Sequence, residues 1–258
     1  MKKQAIAVQL HSVRDYCNDA RQIVETIAKI RAVGFKAVEL SSVGPLPPHE
    51  LARVLESEGL VCSSTHEDSE ELLSEPEAVL ERLSLLGCGY AVYPKPKNQD
   101  LSTLEGVRRL CKALNRTGKL MKKAGVTFAY HHHALEFHIV NGKTVLEWIL
   151  VETDPEALQI ELDTYWVQAG GGDPAEWLLR LKGRATLLHV KDFGVDAKGN
   201  AVFEEIGQGN LGWSRILPAA RRAGCQWYII EQDSDWDNGD PFQSLKMSLA
   251  YLKRALAA

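Results

Sequence analysis

What most constrains this chain is a rhythm. Eight short runs rich in β-formers, at residues 5–10, 37–40, 61–65, 91–93, 127–131, 158–162, 186–190 and 227–230, recur along its whole length. Between them lie segments with helical periodicity and recognisable ends. Asp19 opens residues 20–33 and Gly34 closes them; Pro48 precedes 49–58 and Gly59 follows. Glu75-Pro76 leads into 78–86 before Gly87, and 101–124 ends at Gly125. Asp173-Pro174 opens 175–181, residues 213–223 stop at Gly224, and 241–256 closes the chain. Eight such runs alternating with helical segments in 258 residues predict a single (β/α)8 barrel over residues 1–258. A doubly wound sheet would show a glycine-rich phosphate fingerprint after its first strand. Here the first run leads into His11-Ser12-Val13-Arg14-Asp15.

Composition excludes several classes. Lys plus Arg total 30 against 34 Asp plus Glu, a net charge of −4, whereas a nucleic-acid binder normally carries a basic surplus. There is no apolar run of membrane-spanning length, and the opening Met1-Lys2-Lys3-Gln4-Ala5-Ile6 lacks a signal-peptide core. The five cysteines are odd in number, far apart and without a CxxC pair. They read as reduced thiols of a cytoplasmic protein. The expected partner is a small molecule, with neither nucleic acid nor membrane involved; a homo-oligomer is compatible with the sequence.

Active sites of such barrels lie at the C-terminal ends of the strands, and six of the eight histidines fall there: His11, His66, His131, His132, His133 and His189. Because strand side chains alternate faces, Gln9/His11, His131/His133, Glu161/Asp163, His189/Lys191 and Glu231/Asp233 can each project towards the barrel mouth. One strand-end histidine has many ordinary structural uses, and Glu161 or Asp163 alone could cap a helix. Carboxylates and imidazoles converging from four consecutive strands point instead to a metal. Oxygen ligands with one or two nitrogens suit Mn²⁺, Mg²⁺, Co²⁺ or Zn²⁺.

These endings resemble those of the sugar phosphate isomerase/epimerase family, whose members have the xylose isomerase-like TIM barrel. Tyr130-His131-His132-His133-Ala134-Leu135-Glu136-Phe137 resembles its Y-H-N-H-x-x-E-F signature, with His132 replacing the usual Asn. Leu162-Asp163-Thr164-Tyr165-Trp166, followed by Ala169-Gly170 and Asp173-Pro174, is similar to L-D-x-x-W…A-G-x-D-P, lengthened by one glycine in Gly170-Gly171-Gly172. His189-Val190-Lys191-Asp192, the run from Gly207 to Trp213 and Glu231-Gln232-Asp233 match H-x-K-D, G-x-G-x-x-x-W and E-x-D.

The resemblance implies one divalent metal, Mn²⁺ first, held by Glu136, Asp163, His189 and Glu231. His131 is the alternative to Glu136 on the fifth strand, where many relatives place a glutamate. It also implies an isomerase or epimerase of a sugar or keto-sugar that abstracts a proton next to a carbonyl and passes through an enediolate. Glu231 and Glu136 are then the acid–base pair, with His133 in support. His11, His66, Lys95, His131, Trp166 and Lys191 are the expected substrate-binding residues. The rival chemistry on the same site is loss of water, as in an inosose dehydratase or a lyase of 3-keto-glycosides. The glycine loop at 207–209 could also present backbone amides to a phosphate.

Overall fold

The computed structural model describes residues 5–41 and 43–257; most of the opening stretch that lacks a signal-peptide core, residues 1–4, lies outside them. The barrel strands are β1 (Ala5–Gln9), β2 (Ala37–Leu40), β3 (Val61–His66), β4 (Tyr90–Tyr93), β5 (Thr127–His131), β6 (Gln159–Asp163), β7 (Ala185–Val190) and β8 (Trp227–Ile230). Every neighbour is parallel and β1 pairs with β8, so the sheet closes. Each expected strand forms within a residue or so of its expected ends.

Ten α-helices are found among the described residues: α1 (Ala20–Val33), α2 (Pro48–Ser57), α3 (Ser69–Ser74), α4 (Pro76–Leu86), α5 (Leu104–Lys123), α6 (Val145–Glu152), α7 (Thr164–Ala169), α8 (Pro174–Arg180), α9 (Trp213–Ala223) and α10 (Pro241–Ala257). The α1 boundaries match expectation because Asp19 accepts the Gln22 N–H and Gly34 takes a left-handed φ of 111°. Residues 101–103, expected in α5, instead form a turn: Asp100 accepts from Ser102 and Thr103, and Thr103 caps Gly106.

Short α3 and α7, and eight-residue α6, were not anticipated, being too brief to display a period. Nor were the ribbons Ile139–Val140/Lys143–Thr144 and Asp192–Val195/Ala201–Glu204. No helix among the described residues is long and apolar enough to cross a membrane. All five cysteines are free thiols.

The lumen explains the sequence pattern of the strands. Its floor is a small apolar plug of Ala7, Ala37, Val92, Ala129, Leu187 and Ile229. Val8, Val38, Tyr130, Leu188 and Ile230, one residue further along, join the larger core between barrel and helices. Two residues beyond the plug, on the same strand face, stand Gln9, Glu39, His131, His189 and Glu231, all buried. A strand reading small–apolar–polar therefore lays a charged tier on a dry base, at the C-terminal face.

Candidate metal centre and active site

The upper part of this tier gathers Asp163 at the end of β6, His189 on β7 and Glu231 just beyond β8. Their ligand atoms lie within 4.8 Å of one another. His189 Nδ1 is 2.8 Å from Glu231 Oε2 and 3.7 Å from Asp163 Oδ2. Lys191 lies over them, its ammonium 2.7 Å from Glu231, 3.3 Å from Asp163 and 3.0 Å from Asp233. Burial alone would raise the Glu231 and Asp163 carboxyls, but Lys191 and His189 hold both below the usual range. Burial and the neighbouring Glu231 push Asp233 up to about 6.

Beneath lies a second group. Glu39, on β2, accepts from Gln9 Nε2 at 2.6 Å and from Ser64 Oγ, and its Oε2 is 2.6 Å from His189 Nε2. Glu161, on β6, has Oε2 2.7 Å from His66 Nε2, 3.1 Å from His131 Nδ1 and 3.2 Å from His189 Nε2. Burial resists charging His66 and His189, but the carboxylates around them outweigh it and raise both.

A divalent cation fits the upper group. Asp163 Oδ2 is buried and makes no hydrogen bond beside its 3.3 Å ion pair with the Lys191 ammonium, so it keeps lone-pair capacity for a cation. Two carboxylates and one imidazole are a donor set for Mn²⁺, Co²⁺ or Zn²⁺. The buried cluster of His, Glu and Asp could hold a metal ion.

Above the tier opens a cavity of about 440 Å³. Of the residues expected at the site, it brings together His11, His66, Lys95, His131, His133, Lys191 and Glu231. His133 stays neutral, burial and then Lys191 pushing its imidazole down to about 4. The Trp166 ring lies 5.6 Å from the Lys191 ammonium and 5.3 Å from the His133 ring, beside the cavity lining.

Glu136 is not brought to the others. The chain after β5 turns through the 3₁₀ segment Ala134–Phe137. This folds the Glu136 carboxylate back onto the Tyr130 hydroxyl (2.8 Å) and the His133 N–H (2.8 Å). His131, its alternative, joins the lower group. His132 accepts the Asp163 N–H on Nε2 at 3.1 Å and so fixes the end of β6; burial holds it down to about 4, hence neutral. Sequence reasoning did not single out Glu39 as a site residue or give Glu161 and Asp233 roles. For Glu161 and Asp233 the signal was present, two residues from Asp163 and Glu231. For Glu39 it was the apolar–charged step within Ala37-Val38-Glu39.

The glycine loop has a different use from phosphate binding. Asp192 accepts the N–H groups of Gly207 (2.7 Å), Phe193 (2.9 Å) and Leu211 (3.2 Å), and Trp213 Nε1–H (2.6 Å). A Cβ on Gly209 would stand 2.6 Å from Asp192 Oδ1, so only glycine permits the approach. H-x-K-D and G-x-G-x-x-x-W are two halves of one latch. The longer glycine run is likewise packed: a Cβ on Gly170 would meet the Phe137 ring at 2.3 Å and one on Gly172 the Trp177 ring at 2.7 Å. Asp192→Ala strands several buried donors at about 1–3 kcal/mol each. Urea unfolding should show a loss of about 3–5 kcal/mol, with Asp192→Asn much milder.

Residues 27–255 match the model of the xylose isomerase-like TIM barrel family. The chain belongs to that family. An inosose dehydratase of Bacillus cereus (strain AH820) is 25% identical over 165 residues, 58% of this chain and 55% of its own. The chain thus spans about half of that relative's length. An inosose dehydratase of Geobacillus kaustophilus (strain HTA426) is 23% identical over 267 residues, covering 89% and 86%. A solved sugar phosphate isomerase/epimerase of Parabacteroides distasonis superposes with a TM-score of 0.83 at 21% identity, over 98% of this chain and 94% of its own. An L-ribulose 3-epimerase gives 0.71 at 17% identity over 99% and 95%. The structural likenesses are likenesses of fold.

Proposed function

We propose that this protein is a metal-dependent enzyme that removes a proton next to the carbonyl of a sugar or keto-sugar and then expels a β-hydroxyl, as a dehydratase does. One observation carries the choice of elimination over isomerisation: of the two glutamates that a two-base scheme needs, Glu231 lines the cavity while Glu136 is spent on Tyr130 and the His133 N–H. Elimination needs one base, and one acid for the departing hydroxide. Glu231 is the base, kept ionised by Lys191 and His189. Asp233, raised to about 6 beside it, is the group that can carry a proton to the leaving oxygen. The ammonium of Lys191 faces negative charge that grows on the substrate, and the neutral imidazoles of His11 and His133 hold hydroxyls.

A divalent ion on Asp163, His189 and Glu231, Mn²⁺ first in our assignment, would supply Lewis-acid stabilisation of the carbonyl oxygen. The dehydratase relatives and the five free thiols support a cytoplasmic enzyme of carbohydrate metabolism. We assign Glu136 to holding the turn after β5.

The test incubates Mn²⁺-loaded protein in D₂O with ketoses, keto-inositols and 3-keto-glycosides, read by NMR. The expected result is deuterium next to the carbonyl with loss of one hydroxyl. Deuterium with every hydroxyl kept would make the protein an isomerase or epimerase on the same residues. No exchange from any compound would sink the reading.

A further inference from the structure

We propose that the lower group is a second divalent-cation site, built by His66 Nε2, His131 Nδ1 and the carboxylate of Glu161. It deepens the metal-centre reading and rests on it only for the first cation. Two imidazoles and one carboxylate, each from a different strand, favour a borderline ion such as Co²⁺ or Zn²⁺ over Mg²⁺.

The hydrogen-bond pattern around Glu161 is lopsided. Nitrogens of His66, His131 and His189 converge on its Oε2 at 2.7, 3.1 and 3.2 Å. Its Oε1, equally buried, accepts nothing. The ligand atoms of His66, His131, Glu161 and His189 all lie within 4.8 Å of one another. Distances of about 3 Å between donors are the edges of a coordination shell with bonds of about 2.0–2.2 Å.

The charge is lopsided too. Glu39 and Glu161 are both fully buried. The Lys191 ammonium is engaged by Asp163, Glu231 and Asp233, and among the described residues no lysine or arginine ion pair reaches Glu39 or Glu161. A cation can balance them, as can protons on the imidazoles or on Glu161 itself, whose carboxyl is raised by burial and by Glu39.

His189 divides its two nitrogens between the tiers. With Nδ1 towards Asp163 and Glu231, it keeps Nε2–H for Glu39 at 2.6 Å, the usual arrangement of a metal-bound histidine with a carboxylate behind it. The lower site is then complete without it.

The test strips the full-length protein with chelator and titrates it with Co²⁺, counting bound metal and recording proton NMR. Two Co²⁺ per chain are expected. Three exchangeable imidazole N–H signals should shift far from the diamagnetic region, from His66, His131 and His189. One Co²⁺ per chain, or a second Co²⁺ that adds no such signal, overturns the proposal without any variant being made.

The double variant His66→Gln/His131→Gln should bind one Co²⁺, and Asp163→Asn should also lose one. Loss with Asp163→Asn but not with the double variant sinks the lower site and leaves the proposed function standing. The converse removes the first metal, and the function with it, while leaving the lower site.

Discussion

Glu231→Gln should lower kcat by roughly 10²–10⁴-fold at saturating substrate and metal, the span that a general base supplies. The side chain keeps its shape but loses the negative charge to which Lys191 Nζ (2.7 Å) and His189 Nδ1 (2.8 Å) are directed. Its metal affinity should fall as well, because a neutral amide oxygen replaces a carboxylate ligand. Glu136→Gln is the contrast. It still accepts from Tyr130 or the His133 N–H, and its carboxylate stands outside both metal-capable groups. It should keep the full metal content and lose far less kcat. Equal losses of metal and kcat in both variants would restore the two-glutamate scheme that the sequence resemblance implies.

The barrel was legible because its signal is repeated. Eight times a short β-rich run recurs, and in β1, β2, β5, β7 and β8 the step from plug to polar tier is two residues. What stayed hidden is decided by single turns. Whether Glu136 joins His131 in the lumen depends on four residues, Ala134–Phe137, winding as 3₁₀ and carrying Glu136 back over Tyr130. Spacing along the chain is blind to such a reversal.

Glu39 was missed for a different reason. One carboxylate inside an apolar run looks like an edge residue until closure of the sheet places β2 across the lumen from β7, where Glu39 meets His189. Asp192 shows the reverse case. Its motif was visible, and the glycine motif was visible, but their partnership needed coordinates.

Lys191→Met should cost roughly 3–5 kcal/mol of stability in metal-free protein, the loss expected when one member of a buried ion-pair network is removed. Lys191 is 2% exposed, so solvent screening offers little relief. Its ammonium is the partner of three carboxylates, Asp163, Glu231 and Asp233. The pH dependence has a definite sign. In the wild type, Asp163 and Glu231 are held below their ordinary values. Their contribution is therefore present above about pH 4 and is lost as pH falls through the lowered values.

Without Lys191, burial raises these carboxyls instead. The variant then loses stability as pH climbs from about 4 towards neutrality. The gap between wild type and variant, read from urea unfolding, should be small only well below pH 4, where both carboxyls are protonated in either protein, and should widen from pH 4 to a maximum near pH 8. Mn²⁺ should narrow it, since without the competing Lys191 ammonium on Asp163 and Glu231 the variant binds the cation more tightly than the wild type and gains more by mass action. A gap that is flat in pH would mean that the methionine side chain merely packs poorly. A gap that Mn²⁺ leaves unchanged would mean that Asp163 and Glu231 do not face a metal, and the proposed centre would have to be abandoned.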